Sequence, residues 1–257
     1  MGDVVVGRIT EVGNKRWKVD VNGRQEAVLP LGSINLPGGA QRRRTMEDRL
    51  QMRQLFAEND VISCEIASLK GPNGVMHVQT RSMKYGKLEN GQMVTVPNSL
   101  VKRVKSHFVT LRCGVDAVLG HNGCIWLTSS SAGKAAKDND EDDGDKDDDD
   151  DAEEEEESQH EEDESEMNIA DVEKSRVVHE MEALRHAHAK RVITPEERFR
   201  IARVANSITL LSDALLPIMP KSINIVYDVS LKFAVKPSDM LIPDIALKII
   251  QAAKEKL

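Results

Sequence analysis

The chain has 257 residues, a formal net charge of −8 and eight aromatic side chains, a length that accommodates one or two ordinary hydrophobic cores. It contains no run of 18 apolar residues and no apolar block at its start, so the sequence predicts neither a membrane-spanning helix nor a secretory leader. The net charge is unevenly held: Asp138 to Glu166 carries 21 acidic residues and one lysine, a local −20, which leaves +12 for everything else and gives that remainder the electrostatics of a polyanion binder.

Gly2 to Leu31 reads as three short strands. Val4, Val6 and the Ile9–Val12 step, then Trp17, Val19 and Val21, then Ala27 and Leu29 alternate with period two. Gly13-Asn14 and Asn22-Gly23 punctuate them, and Asn-Gly is a strong hairpin signal. Lys15, Arg16 and Trp17 have two readings: a cationic, stackable surface for single-stranded nucleic acid, or a solvated hairpin whose indole is partly core. A loop follows, marked by Pro37-Gly38-Gly39 and ending in Arg42, Arg43 and Arg44. These arginines suit either RNA phosphates or an acidic protein patch. A short helix is predicted up to about Ala57, then strands over Val61–Leu69 and Val75–Arg81. Five strands with a helix between the third and fourth are the order of an all-β OB-fold barrel, a frequent oligonucleotide binder. Arg81, Lys84, Tyr85 and Lys87 follow the fifth strand as further RNA-contact candidates, with Tyr85 alternatively anchoring an interdomain joint.

Residues 91–127 are again rich in strand formers. Gly120-His121-Asn122-Gly123 joins the last two strands. It reads either as a backbone-clamping GXXG loop or as a hairpin turn with structural glycines. It carries no Lys or Arg and leads into a strand pattern, both of which favour the turn, with Trp126 packing against the barrel. Residues 129–166 are low in complexity and predicted to be a disordered acidic insertion. The segment 167–191 is helix-like, and His179, Glu182 and His186 share one face, a spacing that polar surface explains as well as a metal does. Thr194-Pro195-Glu196-Glu197 opens a helix with an apolar stripe at Ile201, Val204, Ile208, Leu211 and Leu215. Ile223–Phe233 alternates as a strand, and Pro243–Leu257 is a last helix with Ile245, Leu247, Ile249 and Ile250 inward. These pieces make an α+β module. Cys64, Cys113 and Cys124 are odd in number and fit no zinc spacing, which points to reduced thiols in a cytosolic or nuclear setting.

GDVVVGRITEV at the start, INLPGG with its basic run, and TRSMKYGKL together resemble the S1-type RNA-binding domain of the exosome cap subunits, in the family of ribosomal-RNA-processing protein 4 (exosome component 2). The resemblance runs from Gly2 to about Leu127 and resumes after the acidic tract. It implies an S1-type OB barrel over residues 1–88, a KH domain with GxNG signature over 89–128 and 167–257, and the insertion 129–166 between. It also implies a non-catalytic subunit that guides single-stranded RNA into a 3′→5′ exoribonuclease complex, seated on RNase PH-like ring subunits, in nucleus, nucleolus and cytoplasm. Family members carry a further domain ahead of the barrel, which this sequence does not show, and a shorter insertion.

No Gly-rich phosphate loop, GxSxG or HExxH is present, so neither an enzyme nor a cofactor or metal site is expected, and no membrane partner. With few aromatics, phosphate contacts should dominate, giving steep salt dependence and weak sequence preference. Two other readings remain: an S1-bearing translation or transcription factor, and an acidic chaperone for basic proteins.

Overall fold

A computed structural model describes residues 2–34, 46–70, 74–130 and 191–256. The acidic insertion and the predicted helix that follows it lie outside these residues.

The first sheet comprises β1 (Val4–Val12), β2 (Arg16–Asp20), β3 (Ala27–Pro30), β4 (Val61–Lys70), β5 (Val75–Gln79) and β6 (Gly86–Leu88). Its order is β1-β2-β3-β5-β4-β6, and β1 also pairs antiparallel with β4, which closes a five-stranded barrel. Two short helices, α1 (Met46–Leu50) and α2 (Met52–Leu55), stand between β3 and β4, where the pattern predicted one. The barrel core is Val5, Ile9, Trp17, Val19, Leu29, Ile62, Cys64 and Val78, closed from below by Met52 and Phe56.

The second sheet has β7 (Gly91–Thr95), β8 (Phe108–Thr110), β9 (Val115–Leu119) and β10 (Cys124–Ser129), in the order β7-β10-β9-β8, all antiparallel. Three helices follow: α3 (Pro195–Asp213), α4 (Pro220–Lys232) and α5 (Pro243–Lys254). Helix α3 begins on the predicted cap: Thr194 accepts from the Glu197 backbone, and the Glu197 side chain reaches back to Thr194. Its Ile201, Val204, Ile208 and Leu211 pack on Ala117, Leu119, Ile125 and Leu127 of the sheet.

The opposite sheet face is covered too. Val118, Cys124 and Trp126 form a separate cluster with Val4, Val6 and Tyr85 of the barrel module. Successive residues of β10 therefore point alternately into two different cores, which is why the strand reads as an unbroken apolar run. Trp126 is seated in this seam at 7 % exposure, as the sequence indicated.

Three expectations need correction. Residues 223–233 are helix α4, not a strand: Pro220 pre-sets the first turn, the Met219 amide donates to Ser222 Oγ at 3.0 Å, and Ile223, Val226, Val229 and Ser230 are buried at helical spacing. Leu215 falls outside the α3 stripe, 74 % exposed at a left-handed φ of 54° just past the helix end. Leu247 is 62 % exposed on α5, while Ile249 and Ile250 turn inward.

Candidate nucleic-acid interface

Trp17 is fully buried. Its ring meets Phe56 edge-on at 5.5 Å and its Nε1–H donates to the Phe56 carbonyl at 3.0 Å. An indole with no free face cannot stack a base, so Trp17 belongs to the barrel core and the stacking role is withdrawn. Lys15 and Arg16, beside it in the β1–β2 hairpin, are exposed. Arg42, Arg43 and Arg44 lie outside the described residues.

Of the group after β5, Arg81 is exposed. Tyr85 is 4 % exposed and part of the seam; its hydroxyl is pushed up to about 12 by burial first and by the hydrogen-bonded Glu65 carboxylate second. It anchors the joint, the second of the two roles open to it, and offers no base-stacking face. Lys87 is engaged by Asp60 at 3.2 Å and Glu89 at 2.9 Å. Burial works against its charge, but those carboxylates outweigh it and hold its pKa above the ordinary lysine value. Lys84 is exposed, with its Nζ 5.2 Å from the Tyr85 ring centroid and 6.0 Å from that of Phe108.

The Gly120–Gly123 turn is inserted against the barrel. Asn122 Nδ2 donates to the carbonyls of Val6 at 2.7 Å and Val21 at 2.8 Å, and the His121 amide donates to Val4 at 2.9 Å. Gly123 has φ +84°, and a Cβ there would stand 2.1 Å from the Val96 carbonyl oxygen. The turn is a fastener between two sheets, with its backbone turned inward and not toward a ligand.

Beside that fastener lies a cleft of about 330 Å³, walled by Asp3 and Glu65 from the barrel, by Lys84 and Tyr85, and by Arg103, Lys105 and His107 of the loop entering β8. Arg103 pairs with Asp3 at 3.0 Å. His107 is 8 % exposed; its Nδ1 lies 2.7 Å from the Leu119 carbonyl, and its ring centroid is 4.0 Å from that of His121. Burial, aided by the neighbouring His121, holds His107 below the usual histidine value. Lys102, Arg103 and Lys105 put three cations into four residues of sequence, a signal the sequence reading passed over.

The structure thus brings Lys84 and Tyr85 together with Arg103 and Lys105, and keeps Lys15 and Arg16 apart from them. The hairpin caps the C-terminal end of β1 and the cleft abuts its N-terminal end. At roughly 3.3 Å per residue the nine-residue strand separates them by about 26 Å. Among the described residues there is no group of three metal-ligating side chains, and no helix is long and apolar enough to cross a membrane. His179, Glu182 and His186 lie outside the described residues. The three cysteines are free thiols raised by burial, Cys64 to about 12.

A family profile described as "RRP4, S1 domain" matches residues 1–68, and one described as "KH domain" matches residues 91–133. The Exosome complex component RRP4 of Saccharomyces cerevisiae is 53% identical over 137 residues, 53% of this chain and 38% of the relative. Residues 1–68 are thus of the RRP4 S1 type, and the chain is similar to RRP4 proteins. Its Mus musculus RRP4 relative is 54% identical over 127 residues, 49% of this chain and 43% of that protein. The RRP4 homolog of Caenorhabditis elegans aligns over 236 residues at 31% identity, covering 92% of this chain and 63% of the relative, and so extends across the acidic tract into the helices. The chain spans about 40% of the length of the yeast and mouse RRP4 proteins.

Proposed function

We propose that the chain acts as an RNA-binding, non-catalytic subunit of an exosome cap, leading single-stranded RNA toward a 3′→5′ exoribonuclease without cutting it. Similarity to RRP4 proteins carries this reading, and the basic junction cleft supplies a surface suited to phosphates. The two modules divide at residues 88/89, and the partners are RNA and the RNase PH-like ring subunits, in nucleus, nucleolus and cytoplasm. RNA contact runs through Lys84, Arg103 and Lys105, with Lys15, Arg16 and Arg81 as outlying cations and Arg42, Arg43 and Arg44, between β3 and α1 in sequence, as further contacts. Lys87 already has two carboxylate partners and contributes less.

Affinity for a homopolymeric RNA measured across salt tests the binding role. A linear fall of log affinity with log salt is expected, and a flat response overturns it. Affinity capture followed by mass spectrometry tests the assembly: co-purifying RNase PH-like proteins are expected. RNA degradation by the isolated chain, with or without Mg²⁺, would overturn the non-catalytic reading. The acidic tract of −20 favours one second reading, a chaperone for basic proteins. Deleting 138–166 separates the two, because it abolishes chaperoning and leaves RNA affinity unchanged or raised.

A further inference from the structure

The junction cleft has more built into it than surface charge. Its two carboxylates are already engaged, Asp3 by Arg103 at 3.0 Å and Glu65 by the Tyr85 hydroxyl. Lys84 and Lys105 have no carboxylate partner among the described residues. Lys84 is steadied over the Tyr85 and Phe108 rings, so its ammonium is held at the rim without being neutralised. The two lysines come from different modules, one following β5 and one preceding β8, and meet only because the Gly120–Gly123 fastener holds the modules together. Behind them His107 is in its neutral form with both nitrogens occupied: Nδ1 faces the Leu119 carbonyl and Nε2 accepts from the Val104 amide at 3.4 Å. The His121 ring lies against it, tilted by 42°, and its buried Nε2 has no hydrogen-bond partner. The wall is thus two cations without carboxylate partners in front of the neutral His107 imidazole, an arrangement suited to an anion. At about 330 Å³ the space is at the small end of ligand sites, enough for a phosphate with part of its nucleotide.

We propose that this cleft is a phosphate-binding pocket in which Lys84 and Lys105 grip a single phosphate group, either a phosphodiester of an RNA strand or the phosphate of a free nucleotide. In its RNA form the proposal rests on the RNA-binding reading above; in its nucleotide form it does not. A bound anion favours the imidazolium of a neighbouring histidine, so occupancy raises the pKa of His107, which already faces His121, Asp3 and Arg103.

The test follows the His107 and His121 side chains by heteronuclear NMR in the full chain, titrated separately with inorganic phosphate, adenosine 5′-monophosphate and a short oligo(U) strand. Wild-type protein is expected to show a raised His107 pKa with each. The double variant Lys84→Gln/Lys105→Gln is expected to lose that response and to weaken oligo(U) binding at least about fivefold. Its log–log salt slope should fall by about 1.4, at roughly 0.7 per lysine. Lys248→Gln, exposed on α5, leaves the His107 response intact. If inorganic phosphate and the mononucleotide move His107 while oligo(U) affinity ignores the double variant, the pocket takes free nucleotide and RNA binds elsewhere. If wild-type protein fails to bind oligo(U) at all, the RNA-binding reading falls, and the response to the two small phosphates alone upholds the pocket. His107 unmoved by all three ligands overturns it, and so does a response that survives in the double variant.

Discussion

Asn22-Gly23 and Asn122-Gly123 are the same dipeptide following strands of similar alternation, yet they have different roles. Asn22 is exposed; its amide donates to its neighbour Asp20 Oδ1 at 2.9 Å, and φ is 56°. A Cβ on Gly23 would meet nothing nearer than the Gln25 carbonyl at 3.4 Å. Asn122 instead spends its side-chain amide on Val6 and Val21 of the barrel, and Gly123 sits where any Cβ collides with Val96. The dipeptide sets local geometry in both places; its energetic weight comes from what the turn rests against. Asn122 even bonds to the residue that precedes Asn22.

The sharpest way to break the comparison is to add one methyl group to each turn. Gly123→Ala is expected to cost about 4 kcal/mol or prevent folding, while Gly23→Ala stays within about 0.5 kcal/mol, read from urea melts. Equal effects would show that the second turn is no fastener. Next, Asn122→Ala removes three cross-module hydrogen bonds, two from Nδ2 and the longer one that Oδ1 accepts from the Val6 amide at 3.4 Å, and is expected to cost about 2 kcal/mol; Asn122→Asp, which turns an acceptor toward the Val6 and Val21 carbonyls, should cost no less. Trp17→Phe loses the bond to the Phe56 carbonyl and some packing, about 1.5 kcal/mol, and is expected to leave RNA affinity within about twofold of wild type. A base-stacking Trp17 would give the opposite pattern.

A more gradual effect sits at the other end of β10. The Thr194 backbone first, and Ser129 second, hold the Glu197 carboxyl down at about 2, with Thr194 Oγ and the Arg191 guanidinium adding to this. A carboxyl whose folded pKa is depressed stabilises fully above its ordinary value of 4.5 and loses that contribution as pH falls toward 2. Melting temperature should therefore drop between about pH 5 and pH 2 more steeply in wild type than in Glu197→Gln. Smallest of all, Asn22→Gly, at a left-handed φ that glycine adopts freely, is expected to change stability by no more than about 0.5 kcal/mol.

The barrel was legible because its strands alternate cleanly and turn residues mark their ends, and α3 because its cap and its apolar stripe agree. Residues 223–233 misled because Ile223, Ile225, Tyr227 and Val229 alternate while Ile223, Val226 and Val229 also repeat with helical spacing; Pro220 and Ser222 at the start decide between them. Trp17 was ambiguous because an indole suits a core and a stacking surface equally, and only closure of the barrel over it resolves the matter. The junction cleft was hidden for a deeper reason. Lys84 and Lys105 are brought together by the docking of two modules, and no periodicity within either segment encodes that meeting.

The clasp around Glu197 also has a bearing on the acidic stretch. The chain departs at Ser130 and returns at Arg191, whose Nη1 donates to the Ser130 carbonyl at 3.3 Å while Asn90 Nδ2 holds the Arg191 carbonyl. For the folded body, the chain leaves and returns at neighbouring points. Doubling the length of a flexible segment whose ends are held together costs only about 0.6 kcal/mol in closure entropy. The stretch is thereby free to grow, shrink or change composition over generations while the architecture that carries it stays the same.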